Sequence, residues 1–176
     1  MSLKEQFKIL MEFFEREKLD YALIGAFALY AYGYSRATRD VDFITRGESQ
    51  EIIVTFLESL GFETLNRSAG YSNHLHPIEN MRFDLVYVEG DTARIIFEAT
   101  SKKLVLDGME LPVVSPEHLI QLKLFAIRND PGRKFKELAD IRELIHRTPI
   151  DREKIREQFI QDGLEGYFDD IIQNSD

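Results

Sequence analysis

The sequence predicts an α+β fold in which a mixed β-sheet is flanked by helices and followed by a C-terminal helical tail. Up to residue 115, short strand-like runs of apolar residues are interspersed with segments of helical spacing. From residue 116 onward the spacing is helical, with a few breaks. A sheet with helices packed against it is the arrangement that buries such apolar faces.

The first part of the chain alternates helices and strands. Apolar residues recur at helical spacing over 3–17, which predicts an amphipathic helix. A short buried strand at 21–24 is stopped by Gly25, and an apolar helix follows at 26–32. The next strand and helix are predicted at 40–45 and 49–60.

The middle of the chain is rich in β-branched and aromatic residues, which predict a series of strands. The last two of them flank Asp107-Gly108, a strong signal for a hairpin turn. Residues 93–100 form a short connecting segment without a strand assignment. The predicted strands are 62–65, 71–75, 81–88, 103–106 and 110–114.

Ser115 and Pro116 open the helical tail, with serine as the cap and proline at the first helical position. Breaks are predicted near 130–132, at 148–149 and around Gly163. We expect one compact unit, because 176 residues fit a single domain. Within it, residues 1–115 form the core and residues 116–176 pack on that core as a helical region.

Composition excludes several functions. The formal net charge of -9 argues against a broad electrostatic grip on duplex DNA or long RNA. The chain has no cysteine, so disulfides, thiolate metal sites and thiol catalysis are excluded. Its charged start is not followed by a long apolar stretch, so we expect no signal peptide, no membrane partner and a cytoplasmic location.

Two carboxylates stand one residue apart in a hydrophobic strand, at Asp40 and Asp42. Alternate residues of a strand share a face, so both side chains project together while Val41 and Phe43 face the core. Their mutual repulsion is relieved by a divalent cation such as Mg²⁺, which binds carboxylates together with substrate phosphates. A third strand carboxylate, Asp84, joins them if its strand lies beside theirs.

The alternative is a structural role for all three residues. Asp40 then caps a turn, Asp42 pairs with an arginine, and Asp84 lies on a solvated face. His74 and His76 share a strand face and suggest a metal pair, but no third ligand is near them in sequence. We therefore interpret these histidines as surface residues.

The segment before the paired carboxylates favours a catalytic interpretation. A glycine that ends a strand and opens a helix, as Gly25 does, lets the backbone approach a phosphate. Gly25-Ala26, a spacer and the hydrophobe-flanked Asp40 and Asp42 resemble the signature of the DNA polymerase β-like nucleotidyltransferase superfamily. Residues 33–42 are similar to the Arg-x-Thr-x-Asp-x-Asp segment of its small bacterial branch, which includes AbiEii-type toxins and minimal or antibiotic nucleotidyltransferases.

The resemblance covers roughly residues 19–144 and implies a nucleotidyltransferase fold. It also implies an enzyme that moves a nucleoside monophosphate from an NTP to an acceptor and releases pyrophosphate. In that branch the glycines face the triphosphate and the paired aspartates bind metal, here Mg²⁺ or Mn²⁺. Asp84 best matches the third carboxylate, which binds metal or activates the acceptor. Segments 119–124 and 136–141 look like two helical motifs of the branch.

Two positions depart from the family pattern. Ala26 replaces a glycine or serine, which removes a hydroxyl contact with phosphate but keeps the backbone N–H. Glu137 replaces an aspartate and keeps its charge.

Supporting residues carry two interpretations each. Arg36 neutralises phosphate or is a surface ion-pair partner, and Thr38 contacts nucleotide or holds the turn before the strand. Lys123 is predicted to reach nucleotide phosphates from a helix. Lys136 and Asp140 stand four apart, the spacing of an ordinary helix-surface salt bridge.

The acceptor stays open at this point: a small molecule such as an antibiotic, a protein side chain or an RNA end. A second hypothesis is a non-catalytic nucleotide-binding module or one member of a toxin–antitoxin pair, with an antitoxin as partner. A third is a metal-dependent phosphohydrolase or nuclease that uses the same carboxylates with water as acceptor.

Overall fold

This computed structural model describes residues 3–105 and 108–173, which fall into two compact units. The first unit runs to Ala31 and resumes over Ser35–Val114, and the second comprises Tyr32–Tyr34 and the chain from Ser115 onward. The division thus lies beside the predicted start of the helical tail. That the two parts pack as one compact unit stays a prediction.

The first unit contains the sheet. Its described strands are β1 (Tyr21–Leu23), β2 (Asp40–Arg46), β3 (Glu63–Arg67), β4 (Tyr71–His76), β5 (Met81–Val88), β6 (Ser101–Leu104) and β7 (Glu110–Val113). Its described helices are α1 (Leu3–Arg16), α2 (Gly25–Ala31), α3 (Gln50–Ser59) and α4 (Gly90–Glu98).

The seven strands form one sheet in the order β3-β4-β5-β2-β1-β7-β6. The pairs β2–β5 and β1–β7 are parallel, and the other neighbours are antiparallel. The predicted mixed sheet is confirmed. Because β2 and β5 are central and adjacent, residues far apart in sequence meet in the middle of the sheet.

One segment differs from the sequence prediction, and part of another lies outside the described residues. Residues 93–100, predicted as a connection, lie largely in α4, where Ala93 and Ile96 are the buried side chains. Two apolar residues at helical spacing stabilise so short a helix only by tertiary packing, which the pattern alone did not reveal. The hairpin β6–β7 is antiparallel as predicted, but Leu106, the last residue of its predicted first strand, and Asp107 of its predicted turn lie outside the described residues.

One face of the sheet carries an aromatic core. Phe43 of β2 and Phe83 of β5 lie 6.2 Å apart between ring centroids. Phe7 of α1 lies edge-on to both, at 6.0 and 6.4 Å. Such edge-to-face contacts stabilise beyond simple burial of area. Since side chains alternate along a strand, Asp40, Asp42 and Asp84 project from the opposite face of these same strands.

The second unit is helical over its described residues. Its helices are α5 (Pro116–Asn129), α6 (Lys134–Arg147), α7 (Arg152–Gln161) and α8 (Glu165–Gln173). The predicted breaks are confirmed, as is the predicted cap, because the Ser115 hydroxyl accepts a hydrogen bond from the His118 N–H at 3.3 Å. No helix within residues 3–105 and 108–173 combines the length and apolar character needed to cross a membrane.

His74 is fully buried on the core face of β4, so its interpretation as a surface residue is wrong. Its Nε2 lies 2.8 Å from the Ser72 hydroxyl and its Nδ1 lies 3.2 Å from the Thr64 hydroxyl. The Ser72 hydroxyl in turn lies 2.8 Å from that of Tyr87. These polar partners satisfy the ring, which explains how a histidine is tolerated there. Burial lowers the pKa of His74 to about 4.

This buried histidine predicts a pH-dependent stability. Because the folded pKa of His74 is about 4 and the unfolded value is about 6.5, the unfolded chain binds the proton first as pH falls. The contribution of His74 to stability is therefore complete above about pH 6.5 and declines toward pH 4, by at most about 1.4 kcal/mol per pH unit. Urea unfolding at pH 7 and pH 5 measures it. We expect wild type to lose about 1 to 2 kcal/mol more than His74→Gln over this interval, and parallel losses would contradict the assignment.

Candidate active site

The parallel pairing of β2 with β5 brings the predicted carboxylates to one place. In the register of the two strands, Asp42 is the partner of Asp84, and Asp40 is the partner of Arg82. Partners in adjacent strands share a face, and the strands of a sheet lie about 4.8 Å apart. Asp40, Asp42 and Asp84 are all half-buried, so each is accessible from solvent. The three residues thus occupy neighbouring positions on one face of the sheet.

Two side chains that the sequence analysis did not single out contact these carboxylates. Asn73 of β4, the register partner of Asp84, donates from its Nδ2 to Asp84 Oδ1 at 2.9 Å. Arg82 Nε lies 3.9 Å from Asp40 Oδ1 in a loose ion pair. The sequence carries one faint signal for Arg82, which alternates with Asp84 in a strand whose other residues are suited to burial, and none for Asn73, whose strand contains several polar residues.

Gly25 lies directly against the Asp42 carboxylate. Its φ of +63° is in the left-handed region that favours glycine. A Cβ atom built on Gly25 would stand 2.6 Å from Asp42 Cγ and 2.9 Å from Asp42 Cβ, with a carboxylate oxygen closer still. The Ile24 N–H donates to the Asp42 carbonyl at 3.0 Å, which fixes this approach. Only a residue without a side chain leaves space beside the carboxylate.

Gly25→Ala tests this close approach. The new methyl group meets the Asp42 side chain and the backbone is held at an unfavourable φ. Gly90→Ala is a matched control, because Gly90 has a φ of +55° but open space around its Cα. We expect Gly25→Ala to lower the free energy of unfolding by about 1 to 3 kcal/mol more than Gly90→Ala, as measured by urea denaturation. Equal losses in the two variants would show that the Asp42 side chain moves aside without lowering the free energy of unfolding.

The segment before β2 carries Arg36 and Thr38. The Thr38 hydroxyl accepts a hydrogen bond from the Asp40 N–H at 3.2 Å and lies 3.1 Å from the Asp40 carbonyl oxygen. It therefore holds the start of β2, as the local interpretation expected. Arg36 is half-buried in the irregular stretch between α2 and β2, and Ala26 is buried in α2. Nucleotide contacts by these three residues and by Gly25 stay predictions.

Lys123 lies in the second unit within a buried cluster of charges. Its ammonium donates to Glu137 Oε2 at 2.9 Å and to Asp140 Oδ2 at 2.6 Å. The Arg133 guanidinium donates to the other oxygen of Glu137 at 2.7 Å. Burial raises the pKa of Glu137, but the Lys123 and Arg133 charges outweigh burial, so this pKa lies below its usual value.

This buried cluster corrects the interpretation of Asp140 and gives Lys123 a structural role. Asp140 is buried, at 1% exposure, and binds Lys123, while Lys136 is exposed. The interpretation of Lys136 and Asp140 as a surface salt bridge is wrong. Spacing within one helix cannot show that the charged partner of Asp140 comes from a different helix. Lys123 is only 6% exposed and joins α5 to α6. Its predicted contact with nucleotide phosphates stays a prediction.

The chemistry of the carboxylate face suits a hard divalent cation. Carboxylate oxygens are the ligands that Mg²⁺ and Mn²⁺ prefer, and Mg²⁺ is commonly held by one or two carboxylates plus substrate phosphates. The absence of a side chain at Gly25 lets the Asp42 carboxylate lie directly against the backbone that opens α2. Within residues 3–105 and 108–173, no three His, Asp or Glu side chains by themselves form a group that could hold a metal ion.

The chain resembles known proteins in structure, whereas neither a family model nor a curated sequence matches it. No protein-family model matches the chain. No curated protein matches its sequence. Solved structures do match: the lincomycin-bound lincosamide antibiotic adenylyltransferase LnuA superposes with a TM-score of 0.59 at 19% identity, covering 84% of this chain and 99% of that one. ANT(2")-Ia in complex with adenylyl-2"-tobramycin gives a TM-score of 0.70 at 14% identity, covering 90% and 95%.

The chain has the nucleotidyltransferase fold. A CCA-adding enzyme in complex with ATP shares it more distantly, with a TM-score of 0.52 and 14% identity. That match covers 96% of this chain but only 46% of the larger enzyme. The predicted nucleotidyltransferase fold is thereby confirmed. Since every one of these identities is below one fifth, the likeness concerns the fold, and assignment to the AbiEii-type branch stays a prediction.

Proposed function

We propose that the chain is a metal-dependent nucleotidyltransferase, which moves a nucleoside monophosphate from an NTP to an acceptor hydroxyl. One observation carries the proposal: the register of β2 and β5 sets Asp42 beside Asp84, with Asp40 next along the same face. Like charges in neighbouring strand positions repel one another and so lower the stability of the fold. Packing alone therefore does not explain why these carboxylates lie together. A functional site is where such an unfavourable arrangement is expected.

The reaction assigns a role to each group. The acceptor oxygen attacks the α-phosphorus, the bond from that phosphorus to the bridging oxygen breaks, and pyrophosphate leaves. Asp84 takes the proton of the acceptor hydroxyl, and Gly25 and Ala26 bring backbone close to the triphosphate. Together with phosphate oxygens of the bound NTP, Asp40, Asp42 and Asp84 would hold Mg²⁺ or Mn²⁺. When bound, the cation would supply positive charge against the phosphate oxygens and stabilise the departing pyrophosphate.

A small hydroxyl-bearing molecule is the acceptor class that we favour. LnuA was solved with lincomycin and ANT(2")-Ia with an adenylylated tobramycin. Both matches extend over nearly all of the matched chain, at 99% and 95%, so this chain is of their size. The net charge of -9 disfavours a long RNA acceptor and favours a cationic one. A protein side chain and an RNA end are the competing acceptors.

Transfer of label tests the proposal. The protein is incubated with Mg²⁺, each of four α-³²P-labelled NTPs, and acceptors of three kinds: lincosamides and aminoglycosides, proteins, and RNA with a free 3′ end. We expect label on a small-molecule acceptor, with one pyrophosphate released per molecule labelled. Orthophosphate or cleaved nucleic acid would show a hydrolase instead. Tight NTP binding without any labelled product would show a binding module.

A further inference from the structure

Asn73 flanks the carboxylate face, next to Asp84 and without an evident packing role. It lies in the middle of β4, whose neighbours Ser72 and His74 point to the opposite, buried side. Asparagine is disfavoured in strands, so its presence in a paired strand has a local cost. The Nδ2 of Asn73 donates to Asp84 Oδ1 at 2.9 Å, from the position directly across the ladder. The side chain is thus committed to one carboxylate.

The two outer carboxylates of the face are held differently. Asp40 has a loose pair with Arg82, at 3.9 Å between side chains that are both more than 40% exposed. Exposed pairs of this kind fix little, because both side chains keep most of their rotamer freedom. Asp84 instead accepts a short hydrogen bond from a side chain with only two rotatable bonds, on a strand that is paired on both sides. This hydrogen bond restricts the rotation of the Asp84 carboxylate about χ2, which is otherwise broad.

We propose that Asn73 is a positioning residue for Asp84, which fixes the plane of its carboxylate toward Asp42 and the acceptor. The proposal rests on the nucleotidyl transfer described above. A neutral amide suits this role because it orients an anion without adding a charge. A lysine in its place would neutralise the face that must attract a cation, and an aspartate would add a further repulsive charge. Proton transfer to Asp84 depends on its geometry, so loss of the amide lowers the rate more than substrate binding.

Two variants and a control test the inference. Asn73→Ala removes the side chain, and Asn73→Asp keeps its size but removes the donor. Asn66→Ala is the matched control, because Asn66 is the register partner of Asn73 on β3 and its side chain is exposed. We expect both Asn73 variants to lose about 10-fold or more in kcat. The KM for NTP should stay within about twofold, and the Asn66→Ala variant should match wild type.

A second measurement does not depend on turnover. Binding of Mn²⁺ to each folded variant, with a non-hydrolysable NTP, is followed by electron paramagnetic resonance, and folding is checked by circular dichroism. We expect Asn73→Ala to weaken Mn²⁺ binding several-fold, with a melting curve close to that of Asn66→Ala.

The outcomes separate this inference from the proposed function. Wild-type kcat and wild-type Mn²⁺ affinity in both Asn73 variants overturn the positioning role while nucleotidyl transfer stands. A stability loss in Asn73→Ala with kcat and Mn²⁺ affinity unchanged assigns Asn73 to packing and also overturns it. If wild type binds Mn²⁺ but transfers no nucleotide, the proposed function fails and the Mn²⁺ affinities alone decide the role of Asn73. If wild type does neither, both proposals fail.

Discussion

Asp42→Asn is expected to reduce nucleotidyl transfer on the order of 10³-fold or more. Asp42 is the central carboxylate of the face: Asp84 is its partner in the next strand, Asp40 is two residues away, and Gly25 packs against it. Asparagine has nearly the same shape, so the contact with Gly25 is preserved. The charge is lost, and with it the ability to hold a cation against phosphate oxygens. The effect is measured as the rate at which label passes from the α-³²P-labelled NTP to the acceptor.

Asp91→Asn is the matched control for this variant. Asp91 lies in the first turn of α4, its side chain is 87% exposed, and it forms only a surface ion pair with Arg94. Its neutralisation changes the net charge by the same amount as that of Asp42 and should leave the rate unchanged. Circular dichroism should show Asp42→Asn folded, because a half-buried carboxylate relieved of like-charged neighbours costs little to neutralise. Full activity in folded Asp42→Asn would reject the assignment of the site.

The carboxylate face could be predicted because charged residues are unexpected in strands whose other residues are mostly apolar. Asp40, Asp42 and Asp84 stand in strands whose other residues are suited to burial, and period-2 alternation fixes which of them share a face. The prediction that Asp84 joins Asp40 and Asp42 required their strands to be neighbours, and β2 and β5 are indeed paired. A glycine immediately after a strand marked the backbone position that approaches Asp42.

Residues whose role depends on a partner from a distant segment could not be predicted. Asn73 meets Asp84 only through the register of β4 with β5, and nothing in either segment encodes that register locally. His74 reads as a surface residue because its partners, Ser72 and Thr64, are themselves polar. Helix spacing paired Asp140 with Lys136, whereas its ammonium partner, Lys123, comes from another helix.

The buried charge cluster of the second unit leads to the largest expected change in stability. Lys123→Met leaves Glu137 and Asp140 buried, at 2% and 1% exposure, without the ammonium that faces both. Removing one member of a buried ion pair costs about 3 to 5 kcal/mol. We expect a loss of that size in the free energy of unfolding at pH 7, measured by urea denaturation followed by circular dichroism. Lys136→Met on the exposed side of α6 is the control and should change it by no more than about 0.5 kcal/mol.

The expected loss comes from the missing Lys123 charge rather than from lost packing, because Arg133 still donates to Glu137 but the ammonium that faces both carboxylates is gone. Two further results separate charge from packing. Methionine is about as long as the lysine stem, so packing changes little. The Lys123 ammonium lowers the pKa of Glu137 in wild type, so in Lys123→Met this carboxyl takes up a proton at a higher pH. The stability difference between Lys123→Met and wild type should therefore shrink as the pH falls from 7 toward 4. The triple variant Lys123→Met, Glu137→Met and Asp140→Leu should regain most of the lost stability, because a buried ion cluster replaced as a whole by apolar residues is close to neutral. A triple variant less stable than Lys123→Met would show that the carboxylates stabilise the second unit through contacts other than the ammonium.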